Sequence, residues 1–157
     1  MYALFFDQRG FDMQLSFKPA LPEDVDTLFC LNKELIDRYE DVQNIPYDDV
    51  LNWVQRKIEK AIHTYTRIYA DGVHVGFYRF VANEEKMELD DLYIFPEFQS
   101  RGIGTRVVEK CCGETEKSVM LYVFIRNTGA WQLYQRLGFE IQENIHDSRY
   151  IMVRENL

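Results

Sequence analysis

Asp71-Gly72 constrains this chain more than any other pair of residues, because it interrupts two runs rich in β-branched and aromatic side chains, residues 64–70 and 73–82. Asp-Gly between such runs selects a two-residue hairpin turn whose twist matches that of the flanking strands, so an antiparallel pair is fixed in mid-chain. A polar turn at 83–86 leads into a further strand, 87–95, ended by Pro96. Before this meander, residues 15–18 alternate as a short first strand. Pro22, followed by Glu23, Asp24 and Asp26, marks a helix start, and Val25, Leu28, Phe29, Leu35, Ile36 and Tyr39 recur near the helical period. Asp48 and Asp49 open a second helix carrying Leu51, Val54, Ile58 and Ala61. Ile103, Val107, Val108 and Cys111 give a third, stopping at Gly113, and 119–125 reads as a buried strand. Residues 128–137 form a last helix with Gly138 as its stop, and 139–141 and 150–153 close the chain as strands. The order β-α-α-β-β-β-α-β-α-β-β implies an α/β (α+β) fold, a mixed sheet covered by helices on both faces.

With 157 residues and no repeat or linker, the chain reads as one domain over 13–157 behind an N-terminal extension, 1–12. Phe5, Phe6 and Phe11 of that extension are expected to dock on the domain or on a second copy. Twenty-six acidic against eighteen basic residues leave a formal charge of −8, which gives no attraction to a phosphate backbone, so nucleic acid is not expected as a partner. The same surplus suits a cationic partner. The three cysteines, two of them adjacent at Cys111 and Cys112, read as thiols of a reducing cytoplasm. On the helix behind the glycine loop described next, both are expected to be small core hydrophobes rather than nucleophiles. His63, His74 and His146 stand in no spacing typical of zinc, so no metal is expected. No apolar run approaches the roughly 18 residues a membrane helix needs, and no membrane partner is expected.

The segment Gln99-Ser100-Arg101-Gly102-Ile103-Gly104-Thr105 lies between the strand ending at Phe95 and the helix containing Ile103. Glycines at a strand-to-helix turn let main-chain N–H groups approach a ligand, and the positive end of the helix dipole adds to them, so the turn suits a phosphate or pyrophosphate. A nucleoside-triphosphate loop would need Gly-Lys-Ser/Thr, which is absent, and a dinucleotide fingerprint would need a small residue where Val107 stands.

Taken in order, Glu88-Leu89-Asp90-Asp91-Leu92-Tyr93-Ile94-Phe95-Pro96, the loop from Gln99 to Gly104, and Asn127-Thr128-Gly129-Ala130-Trp131-Gln132-Leu133-Tyr134 with Gly138-Phe139 resemble the GCN5-related N-acetyltransferase (GNAT) family over about residues 13–155. The family motif, Gln/Arg-x-x-Gly-x-Gly/Ala, is matched by Gln99, Gly102 and Gly104. The resemblance implies a strongly twisted sheet, split in a V, that holds acetyl-coenzyme A as co-substrate. It also implies that the main chain at Tyr93, Ile94 and Phe95 binds the pantetheine arm, that N–H groups from Gln99, Ser100, Arg101, Gly102, Ile103, Gly104 and Thr105 hold the pyrophosphate, and that Asn127 touches the cofactor. Tyr134 matches the tyrosine beside the thioester sulfur. Asn127, Ala130 and Tyr134 are spaced i, i+3, i+7, so one helix face can present all three.

Transfer of an acetyl group to a small-molecule or peptide amine needs an oxyanion partner, an acid for the thiolate and a neutral nucleophile. A main-chain N–H near Ile94 serves the first role and the Tyr134 hydroxyl the second. Glu88 stands where several family members carry a catalytic glutamate, and it reads equally as a solvated acid. Asp90 and Asp91 are strand neighbours expected to point to opposite faces, one toward the cleft, to take a proton or grip an ammonium group. The acceptor would meet the segment near residues 32–53, including Tyr39, Tyr47 and Trp53. The alternatives are a coenzyme A-binding regulatory module without turnover, or an O-acyl or longer-chain acyltransferase. A homodimer is one of the assemblies the resemblance allows.

Overall fold

A computed structural model describes residues 13–156; the N-terminal extension and its three phenylalanines lie outside the described residues. Seven strands form one sheet: β1 (Leu15–Pro19), β2 (Tyr65–Ala70), β3 (Val73–Asn83), β4 (Lys86–Ile94), β5 (Val119–Phe124), β6 (Glu140–Ile145) and β7 (Arg149–Arg154). Four α-helices flank it: α1 (Val25–Tyr39), α2 (Tyr47–Ala61), α3 (Ile103–Gly113) and α4 (Thr128–Arg136). Pro22, expected to open α1, instead opens a short 3-10 turn, Pro22–Asp24. Asp24 is drawn out of the helix because its carboxylate accepts the Leu21 N–H at 2.8 Å and both Nε and Nη2 of Arg67 at 2.8 Å.

The sheet order is β1-β2-β3-β4-β5-β7-β6. All neighbours are antiparallel except β4 and β5, which are parallel. β7 therefore enters between β5 and β6, and β1 and β6 are the sheet's two edges. Leu28, Ile36, Val54 and Ile58 of α1 and α2 pack with Tyr65, Phe77 and Tyr93 on one face. On the other face, Ile103, Val107, Val108, Cys111 and Cys112 of α3 pack with Val75, Leu89, Leu121 and Met152, and α4 adds Ala130, Trp131 and Tyr134. Both α3 cysteines are buried, and burial pushes the Cys111 thiol up to about 12, as befits a core side chain. No helix among the described residues is long and apolar enough to cross a membrane.

Three bulges break the sheet's alternation; on the edge strand β6, Ile141 pairs with Met152 and Glu143 with Ile151, so Gln142 is an extra residue. Ile68 pairs with Gly76 while Tyr69 pairs with His74, so Val75 is an extra residue on β3. On β4, Tyr93 pairs with Phe77 and Asp90 with Arg79, so Asp91 and Leu92 together oppose Tyr78 alone. Leu89 consequently belongs to the α3 side, yet Tyr93, four residues on, belongs to the α1/α2 side.

Candidate active site

The strands β4 and β5 share only the pairs Met87↔Val119 and Glu88↔Met120, and then diverge although β4 continues to Ile94 and β5 to Phe124. The wedge between them opens a cleft of about 700 Å³. Glu88, Asp90, Asp91, Tyr93, Ile94 and Gln99 line it from the β4 side, Tyr39 from α1, and Asn127, Ala130 and Tyr134 from α4. The side chains of Phe95, Ser100, Arg101, Gly102, Ile103, Gly104 and Thr105 do not line it. Phe95 packs edge-on against His74 and Phe77, and Ile103 is buried in the core, so each could meet a ligand only through its main chain.

Main-chain groups are available where the wedge opens. Phe95 N–H donates to Val75 C=O at 2.8 Å on the β3 side. Alternation along the strand therefore turns the N–H and C=O of Ile94 toward the gap. The Ile94 carbonyl already accepts the Gln99 side-chain amide at 2.8 Å, so Gln99 braces the end of β4. Beyond it, Ser100 and Gly102 take left-handed conformations at φ 64 and 81, and Gly102 is the N-cap of α3 without a side-chain cap. The first helical bond is Arg106 N–H to Gly102 C=O, at 3.1 Å. The N–H groups of Ile103, Gly104 and Thr105 thus have no helical acceptor and point out of the helix end. A Cβ on Gly104 would meet only the Ile94 side chain, at 3.9 Å. The turn can therefore receive a diphosphate on open N–H groups, which is the fit that coenzyme A requires.

Asn127 has a second role beyond its position in the wall. Its Oδ1 accepts the Ala130 N–H at 3.3 Å and caps α4, so its amide nitrogen is the group left for a ligand. The Tyr134 ring meets Phe139 edge-on, and its hydroxyl has no hydrogen-bond partner among the described residues. Burial pushes that phenol up to about 12.

The expectation that Asp90 and Asp91 point to opposite faces is wrong, and the β4 bulge is the reason. Asp91 sits at φ 49, a left-handed conformation that aspartate tolerates better than most residues. The extra residue brings both carboxylates to the α1/α2 side. Asp90 Oδ2 accepts Lys57 Nζ at 2.9 Å and Arg79 Nη1 at 3.4 Å. Asp91 Oδ2 accepts the Tyr65 hydroxyl at 2.6 Å and Asn32 Nδ2 at 3.4 Å, while its Oδ1 accepts the Tyr93 hydroxyl at 3.2 Å. Burial, and then the Asp90 charge, push the Asp91 carboxyl up to about 6. Burial followed by the same Asp90 charge also raises Glu88, whose carboxylate accepts Asn83 Nδ2 at 3.0 Å. Burial works against the Lys57 charge, but Asp90 and Asp91 outweigh it and hold the ammonium above its ordinary range.

Sequence reasoning missed Lys57, Arg79 and Tyr65 as members of this site, whereas Asn32 stands at the start of the segment expected to meet the acceptor. Lys57 lies on α2, beyond the expected acceptor segment, and nothing in its spacing distinguishes it from a solvated polar residue. Gly76 was also silent. A Cβ there would lie 2.0 Å from the Tyr93 carbonyl oxygen, and an isolated glycine inside a strand pattern was the available signal. Among the described residues, no group of three His, Cys, Asp or Glu side chains is arranged to hold a metal.

Comparison with known proteins agrees with this architecture. The chain is 36% identical over 84 residues to an uncharacterised N-acetyltransferase of Methanocaldococcus jannaschii, a match covering 46% of this chain and 37% of that protein, so it spans only about a third of the relative's length. The coenzyme A complex of the PaiA N-acetyltransferase from Thermoplasma acidophilum superposes with a TM-score of 0.65 at 21% identity, covering 91% of this chain and 99% of that one. An N-acetyltransferase from Staphylococcus aureus superposes at 0.67 with 16% identity, covering 88% and 98%. These identities speak for a shared fold. The acetyltransferase (GNAT) family pattern itself matches residues 29–139, so by sequence as well as by fold this chain belongs to the GNAT family.

Proposed function

We propose that the protein moves the acetyl group of acetyl-coenzyme A to a primary amine of a small molecule or peptide, by direct attack with both substrates bound. The observation that carries this reading is the wedge between β4 and β5, with an uncapped helix end near its mouth and an unpartnered phenol in its wall. Acetyl-coenzyme A supplies the acetyl group already activated as a thioester. On this reading the N–H groups of residues 100–105 hold the pyrophosphate, that of Gln99 being committed to the Pro96 carbonyl at 3.3 Å, while the main chain of Tyr93, Ile94 and Phe95 receives the pantetheine arm and the Asn127 amide nitrogen steadies it. The Phe95 N–H is already committed to Val75, which leaves Ile94 as the main contributor.

The Ile94 N–H is the donor suited to polarise the thioester carbonyl, since it faces the gap and costs no reorganisation. The Tyr134 hydroxyl, raised to about 12, keeps its proton at neutral pH and can give it to the departing sulfur. The amine must lose a proton, and the raised carboxyls of Glu88 and Asp91 are the groups suited to accept it, directly or through water. Asp90, engaged by Lys57 and Arg79, fixes the charge around them. Tyr39 then shapes the acceptor's approach.

The test is calorimetric binding of acetyl-coenzyme A against coenzyme A and ATP, followed on the same sample by thiol release over a panel of amines. Selective binding of the coenzyme A species with release on one amine class is expected. Binding without release on any amine would favour a regulatory module, and absence of binding would overturn the reading.

A further inference from the structure

The cleft has another end that acetyl transfer itself does not use. Arg149 opens β7 opposite Phe124, the last residue of β5, and its guanidinium lies 4.8 Å from the Phe124 ring centroid. Tyr39, at the end of α1, stacks with the same ring at 6.2 Å, and the Arg38 guanidinium lies 5.8 Å from the Tyr39 centroid. All four residues line the cleft. The arrangement is tied together by the Ser148 hydroxyl, which sits within 2.9 and 2.8 Å of the two carboxylate oxygens of Glu40 and so joins the β6–β7 turn to the end of α1.

Among the described residues the guanidiniums at this end have no ion-pair partner, although Glu34 of α1 also lines the cleft and its charge acts on Arg38. Arg149 is half-buried, and neither it nor Arg38 has a carboxylate within ion-pair distance among the described residues. Lys57, the remaining basic side chain in the wall, is paired with Asp90 at 2.9 Å. A guanidinium lying on an aromatic ring keeps its N–H fork available at its edges, and partial burial denies those donors some of their water. At the β4 end the balance is reversed, because Glu88, Asp90 and Asp91 crowd around Lys57 and Arg79. The lining is therefore net acidic where β4 bulges and, with Glu34 set against Arg38 and Arg149, net basic where β5 ends and β7 begins.

We propose that Arg149, backed by Phe124 and assisted by Arg38, binds a carboxylate of the acceptor, so that the acceptor is an amino-carboxylate: an amine at the β4 end carrying a carboxylate that reaches the β5/β7 end. A guanidinium takes a carboxylate through two parallel hydrogen bonds, which fixes orientation as well as affinity and would aim the amine at the bulge. The inference rests on the acetyl-transfer reading above and adds the substrate class to it.

The experiment measures thiol release from acetyl-coenzyme A with matched acceptors, a series of α- and ω-amino carboxylates of increasing length, each beside its primary amide. For at least one pair, kcat/KM is expected to favour the carboxylate about tenfold or more, the scale of a charge-assisted bond. Arg149→Gln should remove that preference through KM, Arg149→Lys should restore part of it, and acetyl-coenzyme A affinity should be unchanged in both. Equal rates within every pair, a preference that survives Arg149→Gln, release confined to amines without an anionic group, or weakened acetyl-coenzyme A binding in Arg149→Gln would each overturn the proposal. Intact acetyl-coenzyme A binding with no release on any amine, inside this series or outside it, would instead bring down the transfer reading, and the acceptor assignment with it.

Discussion

The two faces of β4 differ in what they bury. Toward α3 the strand contributes Leu89, which packs with Val107, Val108 and Cys111 in a wholly apolar layer. Toward α1 and α2 it contributes Glu88, Asp90 and Asp91, held by Asn83, Lys57, Arg79, Tyr65 and Asn32. The apolar layer gains its stability simply by excluding water. The polar side keeps charges in a poorly solvated place, which is tolerable only because each carboxylate has donors within reach. The bulge that permits this crowding lies where β4 and β5 have parted, so this bulge and the titratable groups share one end of β4. Bulges also occur on β3 and β6, but the one on β4 is the one that gathers carboxylates at the cleft.

Four substitutions probe that division. The largest effect is expected at Gly76, where an alanine Cβ would collide with the Tyr93 carbonyl on β4. Because backbone must move on both strands, Gly76→Ala should cost on the order of 3 kcal/mol or more in urea unfolding, and a loss below about 1 kcal/mol would mean that the bulges are soft. Tyr134→Phe comes next. It should lower kcat about 100-fold, the ordinary reach of a general acid, while leaving the thermal midpoint nearly unchanged, because the hydroxyl has no partner to lose. An unchanged kcat would remove the acid role.

On the apolar face, Val107→Ala should destabilise by about 2 kcal/mol through the cavity left beside Leu89 and leave kcat at its original value. A marked fall in kcat would show that the two faces are coupled. The most gradual effect is one of pH, spread over several units. Asp91 holds its proton more tightly in the fold than in the unfolded chain, so it adds stability below about pH 4 that is lost as pH rises through about 6. Asp91→Asn should flatten that slope, by up to about 3 kcal/mol, in denaturation followed from pH 4 to pH 7. An unaltered slope would place the proton elsewhere, and Glu88→Gln would be the next variant to examine.

Much of the fold is legible in the sequence because it is local. Asp71-Gly72 sets its hairpin at the expected residues, and Asp48 and Asp49 stand in the first turn of α2. Gly138 lies one residue beyond the C-cap of α4, at φ 96, where its conformational freedom is required. The glycine turn and the Asn127, Ala130, Tyr134 face are legible for the same reason, since their positions depend on residues a few places away. The carboxylate pair was misread because period-two alternation holds only while the ladder is regular, and nothing in Leu89-Asp90-Asp91-Leu92 signals a bulge without glycine. Lys57, Arg79 and Tyr65 become site residues through contacts 11 to 33 positions away in sequence.

What the sequence determined alone is the order of the elements, the antiparallel meander, and a glycine turn ahead of a helix, because propensity, turn chemistry and helix capping act over a few residues. The strand expected at 139–141 runs instead over Glu140–Ile145. Only the tertiary structure decided that β7 would enter between β5 and β6, that β4 and β5 would part after two pairs, and that the acidic and basic groups would face each other across one cleft. Those features arise from packing two helical layers on a twisted sheet. Such packing joins groups distant in the chain, and their neighbours in sequence carry no record of it.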